Sequence, residues 1–215
     1  MRILIMHFRS APTEEKSLSH FLANPDDSAG TDGVSLEIMK REKMLNSMEH
    51  EVAISSAYDW SDFPIKNLEF DSETVIHIMN NLFGEKISDY PGEEDLKITF
   101  EKSILDLKRD FFNVLNEFRP DLLFVHNILS LPVHPVATVA LTQILKETRI
   151  PCVAIHHDIL SEGAYKFTPT CQFANTILEN FFPPKMINLM HWTINTRNQK
   201  TMKKRGIEAK SFMTV

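Results

Sequence analysis

The sequence has few glycines and cysteines, and it has no long apolar run. Its 215 residues include six glycines and two cysteines. Neither the G-x-G-x-x-G fingerprint of dinucleotide-binding folds nor a Walker A phosphate loop is present, which argues against an NAD- or ATP-binding protein. No apolar run approaches the ~18 residues of a membrane-spanning helix. The sequence therefore predicts no transmembrane segment.

The cysteines and the charge narrow the class of protein further. Cys152 and Cys171 have neither metal-ligand nor redox spacing, so we expect reduced side chains in a cytoplasmic protein rather than a disulfide bridge. A metal site would need a third ligand beside His156 and His157, with His126 the candidate, and no spacing in the sequence requires it; we expect no metal ion and no cofactor. The net charge of -6 argues against a nucleic-acid partner, which would require a basic face. The basic stretch 200–205 is expected to complement the dipole of a helix end; the alternative is a phosphate-binding or membrane-binding patch.

Apolar and amphipathic segments alternate along the chain, which is typical of an α/β fold. The pattern predicts strands at residues 2–8, 50–56, 68–70, 121–125, 151–155, 186–194 and 211–215. It predicts helices at residues 33–47, 72–83, 93–118, 132–147 and 195–205, with Ser72 as an N-cap and a capping box of Thr196 and Gln199. Such alternation implies one domain with a mainly parallel sheet of at least five strands and right-handed crossovers.

Two of the predicted strands end in polar, titratable side chains. Residues 122–127 read Leu-Leu-Phe-Val-His-Asn, and residues 150–158 read Ile-Pro-Cys-Val-Ala-Ile-His-His-Asp. Apolar runs of this kind are typical of strands buried on both faces, and open α/β sheets bind ligands beyond the carboxyl ends of their strands. The sequence therefore predicts a site at one edge of the sheet. Its candidate residues are His126, Asn127, His156, His157 and Asp158.

The adjacent histidines have different expected surroundings. Side chains alternate between the faces of a strand, so we expect one of His156 and His157 to face the cleft. A histidine there can donate to a sugar hydroxyl or a phosphate near neutral pH, and Asp158 can orient the imidazole or accept a substrate hydroxyl. The alternative is that both histidines only form hydrogen bonds with loops.

A polar stretch, residues 10–32, precedes the first predicted helix. Long loops of this kind are functional or disordered in most compact domains. Gly33 permits close approach of a ligand, and the unpaired N–H groups at a helix start favour a phosphate or carboxylate. The alternative for Asp32 is simple capping of the helix.

Several segments resemble the group 1 (family 4) glycosyltransferases. Thr-Asp-Gly-Val-Ser-Leu-Glu at 31–37 and Lys-Met-Leu-Asn-Ser-Met-Glu-His-Glu-Val at 43–52 resemble the family's opening. There a glycine loop leads into the first helix, and an "L…GHEV" turn leads into the second strand. Residues 125–135 and 151–158 resemble its central strands. The resemblance covers most of the chain, although Met48-Glu49-His50 stands where the family usually has a glycine.

The resemblance implies an architecture and an activity. The family has two facing Rossmann-like domains, the GT-B architecture, and transfers a sugar from a nucleotide-sugar with retention of configuration. Residues 1–215 resemble the N-terminal, acceptor-side half: a Rossmann-like parallel sheet with helices on both faces. The E-x7-E motif of the C-terminal half has no counterpart here, so the chain alone is expected to be inactive. The alternative is a non-catalytic α/β module, or a gene fragment, that binds a sugar or phosphate.

The resemblance also implies roles for the candidate residues. Gly33, with Asp32, is expected over the donor diphosphate. His157, or His156, is expected to contact the transferred sugar or the acceptor. Asp158, together with His126 and Asn127, is expected to line the acceptor side, and His157 and Asp158 are the predicted catalytic pair. The expected partners are a nucleotide-sugar donor and a carbohydrate or lipid-linked acceptor. Peripheral contact with a membrane is compatible with this interpretation.

Overall fold

A computed structural model describes residues 1–10, 33–160 and 166–211. Asp32, most of the polar stretch before it and residues 212–215 of the last predicted strand lie outside this part of the chain. The strands are β1 (Arg2–Met6), β2 (Glu51–Ser56), β3 (Phe63–Pro64), β4 (Leu122–His126), β5 (Cys152–His156), β6 (Leu189–Thr193) and β7 (Ala209–Ser211). The helices are α1 (Gly33–Ser47), α2 (Glu73–Leu82), α3 (Glu93–Phe118), α4 (Pro135–Thr148), α5 (Gln172–Phe181) and α6 (Thr196–Lys204).

The strands form one parallel sheet. Its order is β3-β2-β1-β4-β5-β6-β7, and every neighbouring pair is parallel. After β1 the next strand, β2, is added on one side of the sheet. After β4 the next strand, β5, is added on the other side. The boundary between β1 and β4 is therefore the topological switch point, beside which open α/β sheets bind their ligands. The predicted parallel sheet of at least five strands is confirmed.

Apolar side chains cover both faces of the sheet. On one face, Ile38 and Leu45 of α1 pack with Ile5 and other residues of the central strands. On the other face, the apolar stripe of α3, which includes Phe100 and Phe111, packs with alternate residues of β1, β4 and β5. The continuous apolar runs of the central strands are buried on both faces of the sheet, as predicted. The Rossmann-like fold with helices on both faces is confirmed.

Two helix boundaries follow from the local sequence. The hydroxyl of Ser72 accepts a hydrogen bond from the amide of Val75, 3.4 Å away, and so caps α2 as predicted. Helix α3 ends at Arg119, which has a left-handed backbone (φ 53°), because Pro120 disfavours helical geometry in the residue before it. The predicted bounds of α3 are confirmed.

Two local predictions are wrong, and one helix was not predicted. The third strand is Phe63–Pro64, paired with Ser55 and Ser56, whereas the predicted 68–70 begins at the last residue of a 3-10 turn, Lys66–Leu68. Helix α6 is capped by Asn195, whose side-chain oxygen accepts from the amide of Asn198 at 2.7 Å, and the capping box of Thr196 and Gln199 is not formed. Helix α5, Gln172–Phe181, was not predicted. Its apolar residues Phe173, Ala174, Ile177, Leu178 and Phe181 recur at helical spacing, so the sequence did contain a signal for this helix.

The two cysteines are expected to differ in reactivity. Both are free, Cys152 buried and Cys171 half-buried. Burial raises the pKa of the Cys152 thiol far above its usual range, and only the thiolate reacts readily. We expect a thiol reagent at pH 8 to modify Cys171 in the native chain and Cys152 only after denaturation. Fast modification of the one remaining thiol in the native Cys171→Ser variant would contradict the buried position of Cys152.

Candidate functional site

The candidate site lies at the carboxyl edge of the central strands. β4 ends at His126, which pairs in register with Ile155 of β5, and His157 follows β5 directly. His7 follows β1, the other strand of the switch point, and is also buried. The sequence predicted that the ends of β4 and β5 would meet at one edge, and this is confirmed.

His126 and His157 form a direct pair. Nδ1 of His126 lies 3.0 Å from Nε2 of His157, and the two rings are stacked at 25° with centroids 5.3 Å apart. Asn127 connects the two strand ends: its amide donates to the carbonyl of Ile155 at 3.0 Å, and its side-chain oxygen accepts from the amide of His157 at 2.9 Å. Asn127 has a left-handed backbone (φ 58°), which asparagine tolerates better than most residues.

His156 points to the opposite face of the sheet. It is fully buried, and both ring nitrogens contact protein atoms: Nδ1 lies 2.7 Å from the hydroxyl of Ser130, and Nε2 lies 2.9 Å from Nδ1 of His191. His157 is only half-buried. The alternation of faces predicted from the sequence therefore separates the two residues, and the geometry favours His157 as the one that faces a ligand. The binding role of His156 stays a prediction.

Burial keeps the histidines of this region neutral. Desolvation lowers the pKa of His126 well below 6.5, and the neighbouring His157 and His7 lower it further. Desolvation, followed by His191, does the same to the pKa of His156. Burial also lowers the pKa of His191 to about 4, against the opposing effect of the Pro184 carbonyl. At neutral pH these side chains are therefore hydrogen-bonding groups rather than cations.

The remaining predicted site residues are Gly33, Asp158 and Asp32. Gly33 begins α1, and a Cβ atom built on it would have no described atom within 4 Å. Asp158 is exposed. Within the described ranges, neither residue has a hydrogen bond to His126 or His157. Asp32 is outside the described residues. The roles of these three residues remain predictions.

Sequence reasoning missed Ser130 and His191. Ser130 is in the loop after β4, and His191 lies in the middle of β6, where it is 4% exposed. A signal for His191 was available: it has the same parity along β6 as the buried Leu189, so a polar side chain there required a buried partner. Nothing in the sequence identified that partner as His156, which lies 35 positions earlier.

A second polar group lies at the same edge, after β1 and near β3. The guanidinium of Arg9 donates to the carboxylate of Asp71 at 3.1 Å and lies 4.7 Å from the centroid of the Phe70 ring. The indole N–H of Trp60 donates to the carbonyl of Ser10 at 2.9 Å. Arg9 keeps about a third of its side chain exposed, 33%. This group therefore presents a cation held in a fixed position.

A well-defined cavity in the described part of the chain lies elsewhere. It measures about 970 Å³ and lies at the amino end of β5 and β6 and beside α6, lined by Met190, Lys200, Lys203 and neighbouring residues. We assign the candidate site to the histidine edge because the switch point and the titratable groups coincide there. Among the described residues, no three metal-binding side chains form a group able to hold an ion, and no helix is long and apolar enough to cross a membrane.

Comparisons with known proteins identify the class. The chain is 33% identical over 178 residues to mannosylglucosylglycerate synthase of Thermotoga maritima, which covers 81% of this chain and 39% of that protein. It is 32% identical over 181 residues to mannosylglucosylglycerate synthase of Petrotoga mobilis, covering 83% and 41% respectively. Sucrose-phosphate synthase from Thermosynechococcus elongatus has a similar structure, with a TM-score of 0.51 and 10% identity over 99% of this chain and 47% of that one. No protein-family model matches the chain.

The chain has a Rossmann-like fold, and its similarity to the two synthases supports a glycosyltransferase domain of the GT-B type. The two synthases carry the assignment to glycosyltransferases, and the structural neighbour, at 10% identity, supports the fold alone. The resemblance to glycosyltransferases found in the sequence is confirmed. The chain spans about two fifths of the length of the two synthases, 39% and 41%.

Proposed function

We propose that the chain is the acceptor-side domain of a cytoplasmic, retaining glycosyltransferase that takes its sugar from a nucleotide-sugar. In this proposal residues 1–215 form the N-terminal domain, and a second domain provides most contacts to the nucleotide-sugar. One observation carries the proposal: the paired His126 and His157 lie beside the switch point of a domain that is a third identical to two sugar synthases.

The names of the relatives suggest the substrates. They are synthases of mannosylglucosylglycerate, so we propose a mannosyl donor and a glucosylglycerate acceptor. Glycerate carries a carboxylate, and Arg9 provides a cation at the edge that also carries His157. β1 and β5 are separated by β4 alone, about 10 Å at ~4.8 Å per strand. That span suits an acceptor with a sugar at one end and a carboxylate at the other.

The proposed roles follow from the chemistry of each side chain. The ring of His157 donates a hydrogen bond to an oxygen of the transferred sugar, and the exposed carboxylate of Asp158 accepts from an acceptor hydroxyl. Gly33, preceded by Asp32, begins α1, and the positive end of a helix dipole favours an anion such as the donor diphosphate. Transfer needs further contacts that stabilise the charge of the leaving diphosphate, and these are assigned to the second domain.

The isolated chain is expected to bind the acceptor and to transfer no sugar. Calorimetric titration with glucosylglycerate tests binding, and glucosylglycerol, which lacks the carboxylate, is the matched ligand. Arg9→Met is expected to abolish the preference for the carboxylate. Turnover of any nucleotide-linked mannose by the purified chain would contradict the division of roles between two domains.

A chimera tests the transfer activity itself. Residues 1–211 are joined to the remainder of the Thermotoga maritima synthase, the part that this chain does not cover. We expect this protein to transfer mannose to glucosylglycerate. The proposed function would be overturned if the isolated chain bound neither glucosylglycerate nor glucosylglycerol and the folded chimera transferred no mannose. Glycan binding without transfer by the folded chimera would favour the non-catalytic sugar-binding module instead.

A further inference from the structure

We propose that His126 is a positioning residue that holds His157 as a single tautomer, with the one ring proton of His157 on Nδ1. The inference rests on the proposed function, in which His157 contacts the sugar, and it specifies the atom with which His157 acts. It starts from the distance of 3.0 Å between Nδ1 of His126 and Nε2 of His157. At that distance one of the two nitrogens donates and the other accepts.

His126 is neutral in the folded chain. Its side chain has no exposed surface, and desolvation, His157, His7 and Arg41, in that order, all lower its pKa. A neutral imidazole carries one proton, on Nδ1 or on Nε2. The state of His126 is therefore a choice between two tautomers.

The partners of His126 determine that choice. Nδ1 has His157 as its partner, whereas Nε2 is buried and has no hydrogen-bond partner within the described residues. A proton on Nε2 would leave a buried N–H unpaired there, and such groups are rare in folded proteins. A proton on Nδ1 is donated to Nε2 of His157. Nε2 of His157 then accepts, so a neutral His157 carries its own proton on Nδ1.

The backbone fixes both rings in this arrangement. Asn127 holds the amide of His157 at 2.9 Å through its side chain and the carbonyl of Ile155 at 3.0 Å through its own amide. The amide of Ile128 donates to the carbonyl of His126 at 2.8 Å. Both rings are thus anchored to the strand ends that carry them. With Nε2 engaged in this way, Nδ1–H is the donor of the His157 ring, and the ring does not act as the base of the reaction.

Two variants separate the donated hydrogen bond from the bulk of the ring. His126→Phe keeps an aromatic ring in the buried space and removes the donor. His126→Asn places an amide N–H close to the position of Nδ1 and restores the donor. His134→Phe is the matched control, because His134 is equally buried and hydrogen-bonded, with Nε2 2.8 Å from the carbonyl of Asn67, but lies outside the pair.

Long-range ¹H–¹⁵N correlation spectra of the 215-residue chain report the tautomers directly. We expect the wild type to show protonated Nδ1 and unprotonated Nε2 on both His126 and His157. The signals of His157 should be unchanged in His126→Asn and in His134→Phe. In His126→Phe they should shift towards the Nε2–H form that an isolated imidazole prefers. A proton on Nε2 of His126, or an unchanged His157 in His126→Phe, would overturn the proposal whatever the protein catalyses.

The chimera adds a kinetic test. His126→Phe is expected to lower kcat about tenfold, the loss for one misplaced hydrogen bond, and His126→Asn to restore it to within about threefold. Equal losses in the two variants would assign His126 to packing alone and overturn the proposal. A wild-type chimera without transferase activity would count against the proposed function, while the spectra would still decide the tautomer.

Discussion

The chain is expected to unfold when the pH is lowered from 7 to about 4.5. Burial lowers the pKa of His134 and of His191 from 6.5 to about 4, and it holds the pKa values of His126 and His156 well below 6.5. In the unfolded chain these side chains regain ordinary pKa values and take up protons first. Their contribution to stability is therefore fully present above pH 6.5 and is lost as the pH falls towards 4.

The expected size of the effect is comparable with the whole stability of a domain. A pKa lowered from 6.5 to about 4 corresponds to about 2.5 kcal/mol lost at pH 4.5 for each of His134 and His191. The loss for these two residues is about 5 kcal/mol, against a total unfolding free energy of about 5 to 15 kcal/mol. His126 and His156, whose pKa values are also well below 6.5, add to this loss of unfolding free energy.

Urea unfolding at a series of pH values between 7.5 and 4.5 measures this loss. His134→Asn is the informative variant, since asparagine can replace Nδ1 of His134 as the acceptor for the amide of Ala137 at the start of α4 but does not titrate. We expect its stability to fall less steeply with pH than that of the wild type. Parallel curves for the two proteins would show that His134 does not contribute.

His157→Ala is expected to impair sugar transfer far more than it impairs folding. A hydrogen bond to a group that gains charge in the transition state is worth about 1 to 3 kcal/mol, so kcat/KM of the chimera should fall roughly tenfold to a hundredfold. The side chain is half-buried and follows the end of β5, so its loss removes little of the core. The melting temperature should change by only a few degrees.

His50→Ala provides the matched control for this substitution. His50 is also half-buried but precedes β2 at the opposite edge of the sheet, so its replacement should leave kcat/KM nearly unchanged. Kinetics and melting are measured on the same preparations. Lost stability with unchanged turnover in His157→Ala would return His157 to a purely structural role.

The local sequence accounts for most of the elements. The apolar runs that became β4 and β5 are buried on both faces because helices cover both sides of a parallel sheet, and this burial is visible in the residues themselves. The N-cap at Ser72 and the end of α3 before Pro120 depend on backbone groups within a few positions. Interactions over that range are encoded in the order of neighbouring residues, so they were predictable.

The wrong predictions concern elements that depend on distant residues. β3 has only two residues, Phe63–Pro64, and is a strand because β2 offers it an edge for pairing. Helix α5 buries only Ala174 and Ile177 fully and is held against a core formed by other helices. For β3 the surroundings provide the stabilisation, and single-sequence patterns do not contain it. For α5 the helical spacing of apolar residues was present in the sequence and was not used.

The candidate site also has one part that the sequence predicted and one part that depends on distant residues. The sequence by itself determined that His126 and His157 come at the carboxyl ends of two buried strands, because apolar length and alternation fix where each strand stops. Only the tertiary structure decided that Nδ1 of His126 meets Nε2 of His157 across 31 positions and that His156 turns away to Ser130 and His191. Strand order and register bring these atoms within 3.0 Å, and both arise from the packing of the whole sheet rather than from any segment of the chain.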